Sequence, residues 1–252
     1  MASTQRVICV TGATSGIGRA TAERFIKDGW KVIVTGRRRE RLAEIALRLG
    51  ENCLPLPFDV SDKKAVFDAF ANFPDAFKPV DVLVNNAGGA LGLDTAMTAS
   101  LEDWEGMVDA NILGVLYCTR AVIADMAARG SGHIVNISSI AAYTAYKGAD
   151  VYGASKAFVS QFSRNLRSDL HGTGVRVSNI EPGLLESEFS TVRFKGDQAK
   201  ADSLYEGAEP LTPEDVADII HYVVNVPPHV NIGRVQVTPV CQSETGMLVA
   251  KK

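Results

Sequence analysis

The feature that most constrains this chain is a glycine-rich turn between an apolar run and an amphipathic segment. Residues 7–10 predict a buried strand, and the segment that ends at Asp28 predicts a helix. The turn between them reads Thr11-Gly12-Ala13-Thr14-Ser15-Gly16-Ile17-Gly18. Glycines let the backbone turn tightly and approach a phosphate, while the start of a helix presents unpaired N–H groups and a positive dipole end. The spacing Gly-x-x-x-Gly-x-Gly differs from the general dinucleotide pattern, so by itself it is also compatible with an ordinary turn.

The remainder of the chain repeats this alternation of apolar runs and amphipathic segments. Further buried strands are predicted at residues 31–36, 53–58, 80–84, 133–137, 175–180 and 235–238, with helices between them. The alternation favours an α/β class: a single-domain Rossmann fold whose doubly wound parallel sheet has about seven strands and helices on both faces. We expect one domain over residues 1–252, in which the polar, irregular stretch 184–209 forms a lid.

Composition and charge exclude several classes of protein. Hydrophobic residues make up 46% and charged residues 22% of the chain, which is typical of a globular protein. The net charge of -3 gives no reason to expect a nucleic acid or an anionic membrane as partner. No signal peptide and no run of about 18 apolar residues is visible, so we expect no membrane partner and a cytoplasmic location. Scattered cysteines, and histidines without ligand spacing, predict reduced thiols and no metal site.

Small and polar residues follow each of the first six predicted strands. Ligands bind beyond the carboxyl ends of the strands in an open parallel sheet, so these residues predict one site along a single edge. In strand order they are Gly12, Thr14, Ser15, Gly16, Ile17 and Gly18; Arg37 and Arg38; Asp59 and Val60; Asn85, Asn86, Ala87 and Gly88; Ser138 and Ser139; and Pro182 and Gly183.

The second predicted strand ends in a basic cluster. Many NAD-binding chains carry an acidic residue about 20 residues past the glycine turn, where it accepts a hydrogen bond from the ribose 2′-hydroxyl. Here Arg37 and Arg38 stand at that place. A guanidinium pairs with phosphate through its charge and its planar fork of donors, so the cluster predicts NADP, with its 2′-phosphate, as cofactor. The alternative is a solvated helix start, although arginines oppose the helix dipole there unless an anion compensates them.

The segment Tyr152-Gly153-Ala154-Ser155-Lys156 is the predicted chemical centre. Positions four apart share a helix face, so Lys156 stands beside Tyr152. A free phenol, with a pKa of about 10, is a poor base at neutral pH, but a neighbouring ammonium favours the phenolate and lowers that pKa. Tyr152 then becomes a usable acid or base, and Ser139 lies at the same edge of the sheet. The alternative is a surface pair.

Six motifs occur in order along the chain: Thr11-Gly12-x-x-x-Gly16-Ile17-Gly18, Asn85-Asn86-Ala87-Gly88, Asn111, Ser139, Tyr152-x-x-x-Lys156 and Pro182-Gly183. As a set they resemble the classical short-chain dehydrogenase/reductase family. The resemblance implies that Tyr152 donates or accepts the proton and that Ser139 holds the substrate oxygen. It also implies that Lys156 lowers the pKa of the tyrosine and binds the nicotinamide ribose, and that Asn111 supports a water-linked proton relay. The other cofactor contacts fall on the strand-end residues given above.

A narrower likeness is to the NADP-dependent 3-hydroxy acid (serine/allo-threonine) dehydrogenase branch. It rests on the segments 35–42, 151–158, 180–183, 188–193 and 230–232. The branch implies hydride transfer between NADP(H) and a small 3-hydroxy acid or its semialdehyde, such as serine, allo-threonine or 3-hydroxypropionate, in a homo-oligomer, tetramer or dimer. A reductase of sulfoacetaldehyde or another small aldehyde or ketone is the alternative within the family. A non-catalytic NADP-binding regulator is the alternative outside it.

An acidic substrate needs a cation in its pocket. Arg193, within the predicted lid, is the candidate for a bidentate grip on a carboxylate or sulfonate, the alternative being a solvated arginine. Tyr143 and Tyr146 either line the pocket or simply pack. We predict substrate contacts from Ser139, Tyr146, Tyr152 and Arg193.

Overall fold

The chain forms one parallel sheet. This computed structural model describes residues 5–243 and 247–251 of the chain. Apolar, β-branched runs form its seven strands, and every neighbouring pair is parallel. The strands are β1 (Val7–Val10), β2 (Lys31–Gly36), β3 (Cys53–Pro57), β4 (Val82–Asn85), β5 (Gly132–Ile137), β6 (Val175–Pro182) and β7 (Arg234–Val237). Their order in space is β3-β2-β1-β4-β5-β6-β7. The order reverses between β1 and β4, where doubly wound sheets open a crevice.

Helices cover both faces of the sheet. They are α1 (Gly16–Lys27), α2 (Arg39–Leu49), α3 (Lys63–Ala71), α4 (Leu101–Val108), α5 (Gly114–Arg129), α6 (Asp150–Asp169), α7 (Glu188–Arg193), α8 (Gln198–Ser203) and α9 (Pro213–Asn225). A π-helical segment, Asp109–Leu113, joins α4 to α5 and accounts for the interruption in that helical stretch. The side chain of Thr212 caps α9, which has proline in its first turn.

The core has one cluster on each face of the sheet. Side chains alternate along a strand, so Ile8 and Val10 point into the cluster with α1, α2 and α9. Val7 and Cys9 point into the opposite cluster, which α3, α5 and the end of α6 cover. All seven strand ends therefore reach one edge, and the predicted α/β architecture is confirmed.

Two regions differ from the sequence interpretation. Residues 184–209 are not irregular throughout, because α7 and α8 form within them, each with a capping side chain, Ser187 and Asp197. In addition, the continuous helical stretch Leu101–Arg129 is long and apolar enough to cross a membrane by those two criteria, as core helices also are. Its residues Cys118, Val122 and Met126 pack beneath the sheet, which is the environment of a core helix.

Candidate active site

The glycine turn forms a cradle at the carboxyl end of β1. Gly12 has a φ of +65°, and a Cβ at this position would lie 2.7 Å from the Cα of Ala87. A side chain at Gly18 would meet the Asn86 amide at 2.5 Å. Ser15 precedes α1 without capping it through its side chain, and no acidic residue lies in the first turn. The first N–H groups of α1 therefore remain available to an anionic ligand.

The segment after β4 holds the glycine turn in place. The backbone N–H groups of Asn86 and Ala87 each donate to the Thr11 hydroxyl at 3.0 Å. The Asn86 amide donates to the carbonyl oxygens of Thr11 and Gly12, at 2.8 and 3.2 Å. Asn85 is buried and bonds to Asn136 and Thr119. Thr11 thus positions the glycine turn against the segment after β4. The sequence interpretation includes Thr11 only as part of a motif.

The arginines after β2 stand beside this cradle. Arg38 donates from Nε and Nη2 to the Thr14 hydroxyl, at 3.0 and 2.6 Å, and from Nη2 to Ser15 at 2.9 Å. Arg37 is 77% exposed and lies 3.7 Å from a carboxylate oxygen of Asp59. The structure therefore brings together the predicted basic cluster and the glycine turn, and leaves Arg37 open to solvent.

The remaining strand-end residues have mixed roles. Asp59 accepts hydrogen bonds from the backbone and hydroxyl of Ser61, and Val60 packs against Gly114. Gly183 donates its N–H to Val237, which pairs the end of β6 with β7. The carbonyl of Pro182 accepts a long hydrogen bond of 3.4 Å from Ser139. These residues shape the rim of the crevice.

Tyr152 and Lys156 project from the first turns of α6 and are both buried. The Lys156 nitrogen lies 5.8 Å from the centroid of the tyrosine ring and donates to the carbonyl of Ile137 at 2.9 Å. Ser139 follows β5, and its hydroxyl is close enough to the Tyr152 phenol to lower the pKa of that phenol. Ser138 instead donates to the carbonyl of Lys156, at 2.7 Å. The choice of Ser139 over Ser138 therefore agrees with the geometry.

The protonation of this pair differs from the sequence expectation. Burial raises the pKa of Tyr152 to about 12, with a further increase from Tyr146, while Ser139 and Arg193 oppose the rise. Burial also lowers the pKa of Lys156 to about 8. The expectation that Lys156 lowers the pKa of Tyr152 below that of a free phenol is wrong for this structure, because desolvation of the phenolate outweighs the nearby charges.

Asn111 lies in the π-helical segment and is buried. Its amide nitrogen donates to Gly89 and to the Ser155 hydroxyl, both at 2.9 Å, and its oxygen accepts from the N–H of Gly89. A side chain at Gly88 would lie 2.3 Å from that oxygen, so glycine permits the approach. Asn111 thus joins the loop after β4 to α6, and its part in a proton relay stays a prediction.

The lid brings a buried arginine close to Tyr152. Arg193 is 7% exposed, so the alternative of a solvated arginine is wrong. It donates from Nε to the carbonyl of Gly92 at 3.1 Å and from Nη1 to the Tyr146 hydroxyl at 3.0 Å. Its Nη2 is buried and has no hydrogen-bond partner among the described residues. The guanidinium carbon lies 5.6 Å from the centroid of the Tyr152 ring.

Tyr143 makes a different set of contacts. It is 47% exposed, and its hydroxyl donates at 2.7 Å to Glu181, a fully buried carboxylate near the end of β6. Whether Tyr143 lines the substrate pocket stays a prediction. The Glu181 carboxylate also accepts hydrogen bonds from Nε of Arg234 and from the side-chain amide of Asn179, both at 2.6 Å. The sequence interpretation includes Glu181 only as part of the segment 180–183 and gives it no role, although a charged residue within an apolar strand is a detectable signal.

Together, the site can bind a phosphate-rich nucleotide along the glycine turn and arginines, and move a proton at Tyr152. The cradle at Gly12 and Gly18, which a Cβ would fill, leaves backbone space for a pyrophosphate. Arg193 offers a positive, partly unsatisfied group to a small acid beside the proton-transfer residue.

Known proteins match this arrangement over nearly the whole chain. A family model described as short chain dehydrogenase matches residues 6–198. The NADP-dependent 3-hydroxy acid dehydrogenase YdfG of Salmonella typhi is 52% identical over 244 residues, covering 96% of this chain and 98% of the relative. The serine 3-dehydrogenase of Rhizobium radiobacter is 49% identical, covering 97% and 98%.

Solved structures agree with these relatives. The closed form of a serine dehydrogenase complexed with NADP+ superposes with a TM-score of 0.94 at 50% identity, covering 98% of this chain and all of that one, 100%. Serine dehydrogenase from Escherichia coli gives a TM-score of 0.84 at 46% identity, covering 94% and 99%.

Proposed function

Since this chain belongs to the short-chain dehydrogenase family and is an NADP-dependent oxidoreductase of hydroxy acids, we propose that its substrate is a small 3-hydroxy acid or the matching semialdehyde. The observation that carries the proposal is the buried guanidinium of Arg193: its Nη2 has no hydrogen-bond partner in the part of the chain that the structure describes, and its Cζ lies 5.6 Å from the centroid of the Tyr152 ring. A short molecule with an acid group close to its hydroxyl can touch both residues.

The residues divide between holding the cofactor and moving the proton. The glycine turn and the start of α1 would hold the pyrophosphate, Arg37 and Arg38 the 2′-phosphate, and Lys156 the ribose. When bound, the cofactor supplies a hydride acceptor or donor at the nicotinamide ring. In carbonyl reduction the protonated phenol of Tyr152 donates its proton to the carbonyl oxygen, and in alcohol oxidation the phenolate form of Tyr152 takes the hydroxyl proton as the carbonyl forms.

Two further groups position the substrate. Ser139 would donate to the reacting oxygen, since its hydroxyl lies near enough to the Tyr152 phenol to lower the pKa of that phenol. Arg193 would direct its free Nη2 and its Nη1 to the two oxygens of a carboxylate, with Tyr146 holding the guanidinium in place. The same fork suits a sulfonate, so isethionate belongs in any substrate screen.

The test is NADP reduction with serine, 3-hydroxypropionate, 3-hydroxyisobutyrate and isethionate, compared with propan-1-ol as a neutral alcohol. We expect kcat/KM for the best 3-hydroxy acid to exceed that for propan-1-ol by about 100-fold or more, because only the acid engages Arg193. Equal values for acid and alcohol, or no turnover with any acid, would contradict the proposal. A homo-oligomeric state and a cytoplasmic location stay predictions from the sequence.

A further inference from the structure

The short helix α7 carries charged residues that face opposite ends of the crevice. At its first position, Glu188 accepts hydrogen bonds from Nη1 of Arg38 at 2.8 Å and from Nη1 of Arg41 at 2.5 and 2.7 Å. At its last position, Arg193 lies over the ring of Tyr152. Six residues therefore connect the arginines beside the glycine turn to the arginine of the substrate pocket.

The contact at Glu188 belongs to a network and not to an isolated surface pair. Arg38 donates from Nε and Nη2 to the hydroxyls of Thr14 and Ser15. Its Nη1 therefore makes the contact with Glu188 in the lid. Partial burial raises the pKa of Glu188, but the hydrogen bonds from Arg38 and Arg41 outweigh this and hold the pKa below its ordinary value. Exposed single ion pairs stabilise little, whereas two guanidinium groups on one carboxylate restrict its position.

The remaining residues of α7 connect the restricted position of Glu188 to the surroundings of Tyr152. Ser187, which caps the helix, lies over the glycine turn. A Cβ placed on Gly16 would be 3.5 Å from the Cβ of Ser187. Phe189 packs with its ring centroid 5.7 Å from that of Tyr152. The start of the helix is thus fixed to the cofactor side while its end supplies the substrate arginine.

We infer that Glu188 is a positioning residue: it places Arg193 in the substrate pocket by fixing the start of α7 to Arg38 and Arg41. The inference rests on the proposed function, because it makes recognition of the acid group depend on a contact at the cofactor side. Proton transfer at Tyr152 does not depend on Glu188. Loss of the contact therefore weakens binding of acids and leaves the chemical step unchanged.

The first test compares Glu188→Gln with Glu186→Gln, which removes the same charge from an exposed residue two positions earlier in the lid. With saturating NADP, we expect Glu188→Gln to raise the KM for 3-hydroxypropionate about tenfold with kcat within about twofold. The KM for its methyl ester, a neutral substrate, should not change. Arg41→Met should raise the same KM by a smaller factor, because the contact from Arg38 remains. The double variant should be no worse than Glu188→Gln, because that change already removes the carboxylate that Arg41 contacts.

A second readout needs neither cofactor nor substrate. Lys195 and Lys200 follow α7 closely and are exposed, so trypsin cleavage there reports how firmly the lid is held. In the cofactor-free protein we expect cleavage of Glu188→Gln to be several-fold faster than that of wild type or Glu186→Gln.

An unchanged KM and cleavage rate in both Glu188→Gln and Arg41→Met would overturn the inference. An equal rise in KM for acid and ester would also overturn it, since a general disturbance of the pocket would then explain the result. If wild type itself shows no preference for acid over ester, the proposed function fails instead, and the cleavage experiment alone decides whether Glu188 holds the lid.

Discussion

The cofactor side and the substrate side of this crevice are built on different physical constraints. On the cofactor side the backbone itself limits which residues fit: Gly12 has a positive φ and, like Gly18, has no room for a Cβ. On the substrate side, ordinary side chains sit on a helical lid, and Arg193 meets Gly92 across 101 residues of chain. Where nearby atoms leave no room for a side chain, the sequence shows a recognisable pattern of glycines. Where a distant contact places a side chain, the sequence shows no such pattern.

Tyr152, where the two sides meet, should give the largest effect. Tyr152→Phe removes the proton donor and leaves the packing of the ring, so we expect kcat to fall about 10³-fold or more. NADPH affinity, measured by fluorescence titration, should stay within about threefold because the glycine turn and arginines are untouched. Near-normal turnover in this variant would remove Tyr152 from the chemistry.

Replacing Arg193 tests the substrate side alone. Arg193→Met keeps the length of the buried side chain and deletes its charge, so kcat/KM for 3-hydroxypropionate should fall about 10²-fold. The methyl ester should lose far less, and Kd for NADPH should be unchanged. An equal loss for acid and ester would show that the arginine supports packing and does not recognise the acid.

Replacing the arginines after β2 tests the cofactor side, and binding of NADP and NAD is the readout because Arg38 also contacts Glu188 of the lid. Arg38→Ala should weaken NADP binding about 10- to 100-fold and leave NAD binding unchanged, because only NADP carries the 2′-phosphate. Arg39→Ala is the matched control, since Arg39 is an exposed arginine one position later. If both variants keep the wild-type preference for NADP, the phosphate is recognised elsewhere.

A smaller effect should appear in the pH profile. The pKa of Lys156 is lowered to about 8, so its ammonium is lost at a lower pH than that of an ordinary lysine. The pKa of Tyr152 is raised to about 12, so the phenol stays protonated well above neutrality. For carbonyl reduction, kcat/KM should therefore fall above about pH 8, approaching about tenfold per pH unit, because Lys156 loses the ammonium that would hold the ribose of the cofactor. A profile that stays flat to pH 10 would show that the charge on Lys156 is not needed.

These differences explain what the sequence reveals. The parallel sheet, its shared edge and the places of Ser139, Tyr152 and Lys156 follow from periodic patterns and motif order, and the structure agrees. The helices of the lid were not predicted, because short polar helices depend on caps such as Ser187 more than on apolar periodicity. The pKa of Tyr152 was predicted in the wrong direction, because a sequence shows neighbouring charges and does not show burial.

The central claim is that both sides of the crevice act on one small acid at Tyr152. It is tested most directly by following deuterium from NADPH that carries deuterium at both C4 positions of the nicotinamide into the product formed from malonic semialdehyde. We predict deuterium on C3 of 3-hydroxypropionate with the wild-type enzyme and none with Tyr152→Phe in the same time. Oxidation of the labelled NADPH with no deuterium in that product would contradict the account.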